Sequence, residues 1–205
     1  MRTALAVCLS ALLVSALSCD EPRKPLPLLD LRHSITVDGT SVRYNGRELG
    51  WNLPADRWQE VLGPRSRKKN VTTPISTWDE LGLVLYEDPT DGTADSLVIF
   101  FGRTPHSSIT TSMPSFWPNR PFPGRLVVDG ALIHKDSSIQ DIFRDKKGTS
   151  FGRSYLNTIF SYYQGDFHVA LEFGHDRTLT DFSITKKVTV RAHKATKNRP
   201  GESSR

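Results

Sequence analysis

Twice in this chain an apolar run breaks at Asp-Gly and then resumes: SITVDGTSVRYNG at residues 34–46 and GRLVVDGALIHKD at residues 124–136. Asp-Gly between apolar runs is a strong hairpin signal, because both central residues of a type I′ turn need positive φ. Antiparallel β structure is therefore expected around Asp38-Gly39 and around Asp129-Gly130, and the recurrence points to a unit built twice.

The segments after the two hairpins also correspond. In LPADRWQEVLG, Pro54 suits a first helical turn, Trp58, Val61 and Leu62 share a face, and Gly63-Pro64 stop the helix. In DSSIQDIFRDKKG, Asp136 or Ser137 serves as a cap, Ile139, Ile142 and Phe143 share a face, and Gly148 terminates. A second hairpin then closes each unit. LGLVLYEDP and SLVIFFG pair around the polar loop from Asp88 to Asp95, while NTIFSYYQ and HVALEFG pair around Gly165-Asp166. TLTDFSITKKVTV reads as a last strand.

The expected fold class is α+β: two β-β-α-β-β units forming antiparallel sheets, with the helices packed on one face to cover it. The units run over about residues 33–102 and 124–185 of a single domain at 33–185, with a proline-rich linker at 103–123.

The N-terminus carries a different message. Residues Ala4 to Leu17 are almost wholly apolar and follow Arg2, the pattern of a secretory signal over residues 1–18. The run is shorter than the about 20 residues needed to span a bilayer. Cys8 would leave with the signal, so Cys19 is the one cysteine an exported chain would keep, and it has no partner for an internal disulfide. The preceding Ser15, Ala16, Leu17 and Ser18 resemble the lipobox of bacterial lipoproteins. That resemblance implies cleavage before Cys19, acylation of its thiol and amine, and stable membrane anchoring by several acyl chains. The alternative is an ordinary signal cut after Ala16 or Ser18, a secreted soluble protein, and a free thiol. Residues 19–32, rich in proline and charge, read as a tether.

Net charge is +5, but residues 186–205 hold seven Lys and Arg against one Glu, so basicity is a property of that tail. It reads as a disordered solvated segment or as an arm for anionic headgroups. Nucleic acid is not an expected partner outside the cytoplasm.

A search for chemistry is largely negative. His168 and Glu172 share the polar face of DFHVALEFGH, but four strand residues span about 13 Å, too far to share one metal ion. No G-x-S-x-G and no phosphate-cradling glycine loop occurs. Asp79-Glu80 and Glu87-Asp88 are adjacent in sequence, so each pair splits across two strand faces. Catalytic, cofactor-binding and metal residues are accordingly expected to be none, although carboxylates distant in sequence could still converge. Trp51, Trp58 and Trp78 suit the core. Phe116 and Trp117 lie in the linker without a clear core face, and either pack beneath it or form an apolar patch rimmed by Arg120 and Arg125, a candidate partner contact.

The pieces RWQEVLGPRSR, TWDELGLVLYED, PFPGRLVVDGALI and SYLNTIFSYYQGDFHVALEFG resemble an uncharacterised bacterial domain family of exported and lipoprotein chains, over about residues 35–185. The order of a helix ending in VLGPR and then antiparallel strands is also similar to small outer-membrane assembly lipoproteins and β-lactamase-inhibitor-like repeats. These resemblances imply a fold unit and no reaction. The expected function is a non-catalytic binding or scaffold module of the cell envelope, with an envelope protein as partner. An envelope enzyme and an immunity or inhibitor protein are the alternatives.

Overall fold

The computed structural model describes residues 28–102 and 116–186 of the 205-residue chain. The described chain is mostly β: two sheets face each other across one hydrophobic core, with two short helices between their edges. The α+β expectation, with helices covering a sheet face, is therefore corrected to a β-sandwich.

The smaller sheet has five strands. β1 (Ser34–Asp38), β2 (Ser41–Tyr44) and β3 (Arg47–Glu48) form a meander, and β8 (Arg125–Val128) with β9 (Ala131–Ile133) forms a hairpin. The order is β3-β2-β1-β8-β9. Its alternation is clean: Ile35, Val37, Val42, Leu126, Val128 and Ile133 are fully buried, while Arg43 and Arg125 on the opposite face are exposed.

Both Asp-Gly hairpins form, with different turns. In the second, Val128 pairs with Ala131, and Asp129 and Gly130 both have positive φ, 45° and 92°, as a type I′ turn needs. In the first, Asp38 pairs with Ser41, so the central residues are Gly39 and Thr40 and only Gly39, at φ 59°, is left-handed. The two hairpins lie side by side because β1 and β8 pair in parallel, Val37 opposite Val128. That pairing brings both turns to one end of the sheet.

The larger sheet has eight strands. One meander is β4 (Arg67–Lys69), β5 (Ile75–Trp78), β6 (Leu83–Glu87) and β7 (Ala94–Phe100). The other is β10 (Gly152–Arg153), β11 (Ile159–Gln164), β12 (Phe167–Phe173) and β13 (Leu179–Lys186). β7 and β13 join them in the middle of the sheet. On the core face the register aligns Leu85, Leu97, Ile184 and Val169 in one row and Leu83, Ile99, Phe182 and Leu171 in the next. Every side chain in these two rows is fully buried, and each contributes on the order of 1.5–3 kcal/mol of burial.

The helices are too small to cover a sheet. α1 (Ala55–Leu62) buries Ala55, Trp58 and Leu62, and α2 (Ile139–Asp145) buries Ile142. Each instead closes one side of the sandwich. The Arg47 guanidinium of β3 donates to the Glu60 carbonyl of α1 at 3.0 Å, and Trp78 Nε1 of β5 donates to the Gly63 carbonyl that ends it at 2.9 Å. At the other side, α2 packs on β9, and its Phe143 meets Phe160 of β11 edge to face at 6.2 Å. Ser138 caps α2 by accepting from the Asp141 N–H. The hairpin, helix, hairpin order thus recurs as expected, but the two units join edge to edge in both sheets, through β1–β8 and β7–β13, instead of folding apart. The two sheets so formed cover each other and replace the cover that the helices were expected to give.

Candidate functional site

The parallel β1–β8 pair creates a cleft. It measures about 510 Å³ and is bounded by the ends of β1 and β8, the loop after α2, and Gln164 at the end of β11. Thr36, Val37, Gly39, Asp129 and Gln164 are buried or half-buried in it, and Asp38, Gly130, Lys147, Gly148 and Thr149 are exposed around it.

Asp129 ties this end together. Its Oδ1 accepts the Gly39 N–H of the neighbouring turn at 2.8 Å, and its Oδ2 accepts the Tyr162 hydroxyl at 3.0 Å. Lys146 Nζ stands 2.8 Å from the same Oδ2, with only 2 % of the Lys146 side chain exposed. That ammonium also donates to the carbonyls of Lys147 and Thr149, at 3.0 and 2.6 Å, and sits 4.3 Å from the centre of the Tyr162 ring. Burial alone would raise the Asp129 carboxyl, but Lys146, the Gly39 N–H and the Tyr162 hydroxyl together hold it below the usual carboxylate range. Tyr162 is pushed up, by burial first and then by the Asp129 charge. The network is a closed ion pair that fixes the walls of the cleft, and it leaves the exposed Asp38 and Lys147 as the two charges at the rim.

A second polar constellation lies on the other face of the larger sheet. Glu172 of β12 and Asp181 of β13 are direct cross-strand partners, and both are buried. Burial, then the Glu172 charge, pushes Asp181 up to about 7, against a partial opposing effect of the Thr180 hydroxyl at 3.1 Å. Burial also raises Glu172. No ion pair joins either to a Lys or Arg among the described residues. His168 shares this face with Glu172 as expected, but it stacks with Tyr163 at 4.8 Å. Among the described residues no group of three His, Cys, Asp or Glu could hold a metal ion. The sequence places Glu172 on the polar face of its strand and does not single out Asp181. The β12–β13 hairpin pairs Phe173 with Leu179, and a register shift between Glu172 and Phe173 then sets 172 opposite 181, which the sequence does not announce.

The proposed contact residues separate. Trp117 is buried on this outer face, stacked at 5.1 Å on Phe100, the cross-strand neighbour of Asp181. Phe116 is half-buried with Lys69 Nζ 4.5 Å over its ring. Arg120 is exposed and pairs with Glu80 at 2.9 Å, while Arg125 belongs to β8 in the other sheet. Packing beneath the linker therefore describes Trp117, and an exposed tryptophan patch does not. Cys19 lies outside the described residues.

Arg67 fastens this segment. Its guanidinium forks onto Asp79 at 2.7 and 3.0 Å and donates to the Trp117 carbonyl at 2.7 Å, while Asp79 accepts the Asn119 N–H at 2.9 Å. Gly82, at φ 61°, lets the strap approach: a Cβ there would lie 2.3 Å from Phe122 N. Arg67→Leu is expected to cost about 1–3 kcal/mol, because it leaves the largely buried Asp79 without its cation. Amide exchange at Trp117 and Asn119 should accelerate with it, and unchanged exchange would refute the fastening.

Neither the curated proteins nor the solved structures contain a match to this chain. A family profile described as a domain of unknown function, DUF7738, matches residues 34–143, just over half the chain. The match runs from β1 into α2, so it includes both Asp-Gly turns of the cleft and stops before Lys146. The chain belongs to the DUF7738 family.

Proposed function

We propose that this chain is a non-catalytic binding module of the bacterial cell envelope, held at a membrane through acylated Cys19, with the cleft between the two hairpin turns as its binding surface. The cleft carries the reading. It is within the range of about 300–1,000 Å³ typical of small-ligand sites, and its lining mixes hydroxyl, amide and carboxylate groups with the backbone of the turns. Its one half-buried acid, Asp129, is already neutralised by Lys146 and is thereby withdrawn from acid or base chemistry. Glu172 and Asp181 do not line it. The lipobox-like run before Cys19 supports the anchor, and residues 20–32 supply the length of a tether.

Two measurements test the halves separately. The intact mass of protein purified from membranes should correspond to a chain beginning at Cys19 plus diacylglycerol and acyl groups, and Cys19→Ser should lose that addition. An unmodified chain cut elsewhere would remove the anchor. Thr149→Trp, which fills the cleft from its exposed rim, should reproduce the phenotype of deleting the gene at normal protein levels. If the filled variant behaves as the parent while the deletion does not, the cleft is not the working surface.

A further inference from the structure

We infer that the cleft takes an uncharged, hydroxyl-rich ligand of about disaccharide size; this inference rests on the binding-module reading above. Charge comes first. Asp129 is matched by Lys146 within the wall, and the single negative charge of Asp38 at the rim is balanced by the single positive charge of Lys147. A lining with no net charge offers no long-range attraction to a phosphate or to a divalent cation. The two rim charges are exposed, where screening by water leaves them worth little to a zwitterion.

The deeper groups are of another kind. Thr36 contributes a hydroxyl, Gln164 an amide with both donors and an acceptor, and Asp129 Oδ1 retains a lone pair beyond its bond from Gly39. Such a mixture suits groups that donate and accept at once, which is the property of a sugar hydroxyl. Between them lie the glycines of the turns, and a Cβ built at Gly39 or Gly148 would meet nothing within 4 Å. These positions leave smooth backbone surface for the C–H face of a ring. The volume, equal to about 17 waters, is far more than a single ion would fill.

The test uses the full chain in detergent and follows the backbone amides of Gly39, Gly130 and Gly148 by NMR. The probes are a panel of neutral disaccharides differing in stereochemistry and N-acetylation, inorganic phosphate, calcium, and trialanine. The expected result is saturable shifts at all three glycines with at least one disaccharide. Thr36→Val with Gln164→Leu should weaken that binding at least tenfold, whereas Asp38→Asn should change it less than threefold. Shifts with phosphate, calcium or trialanine in place of the sugars would overturn the ligand class and leave the binding module standing. Silence across the sugars and all other probes would overturn the ligand class as well; Thr149→Trp in cells then decides the binding reading on its own.

Discussion

Asp129→Asn should lower the free energy of unfolding by about 3 kcal/mol, and adding Lys146→Met should restore most of the loss. Asn keeps the shape, tolerates the left-handed φ of 45°, and its one amide oxygen can still accept the Gly39 N–H, while its NH2 takes the place of the oxygen that Tyr162 and Lys146 face. What it removes is the charge opposite an ammonium that is 2 % exposed, and an unpaired buried cation costs on the order of 3–5 kcal/mol. Methionine in place of Lys146 removes that cation while keeping much of the packing on the Phe151 and Tyr162 rings. Urea unfolding of the two single variants and the double variant measures the coupling directly. A loss below about 1 kcal/mol for Asp129→Asn, or strict additivity, would show that the two groups do not act as a pair.

The second large effect is a pH dependence of stability centred on Asp181. Unfolded, this carboxyl loses its proton near 3.8; folded, it holds it to about 7. Between those values the unfolded state binds fewer protons, so stability falls as pH rises, by up to roughly 1.4 kcal/mol per unit. Above the folded value the loss is complete and the curve flattens. Glu172, also raised by burial, adds a slope of the same sign. Asp181→Asn should therefore match the parent near pH 4 and exceed it by roughly 2–4 kcal/mol near pH 8. Parallel stability curves for parent and variant across that window would refute the buried, uncompensated carboxyl. Tyr86 and the Thr180 hydroxyl are the other polar groups coupled to it, and neither supplies a positive charge.

Local signals carried much of the secondary structure. The Asp-Gly runs, the Pro54 helix and the apolar β6, β7, β11 and β12 segments fall where patterning places them, while the second helix is capped by Ser138 and not by Asp136 or Ser137. Strand β4 has no apolar alternation to announce it, since Arg67, Lys68 and Lys69 are all charged, yet Lys68 pairs with the buried Glu87 at 2.7 Å. Tertiary pairing was the real gap. Nothing in two hairpins separated by about ninety residues announces that their first strands will lie parallel, and once they do, the sheets cover each other and the helices move to the edges. The same gap hid the cleft, whose lining comes from four separate stretches between Thr36 and Gln164. The buried carboxyl pair needs no long-range contact, but it depends on a register shift between Glu172 and Phe173 that patterning does not reveal.

β13 is the last strand in the described chain, yet it occupies the middle of the larger sheet between β12 and β7. A nascent chain leaving the ribosome therefore holds two half-sheets that cannot be stitched together until residues 179–186 have emerged. Folding is forced to be late. During that wait β7 exposes a long apolar edge, the sort of template on which neighbouring chains add strands. A chain truncated before Leu179 would be released with that edge permanently open.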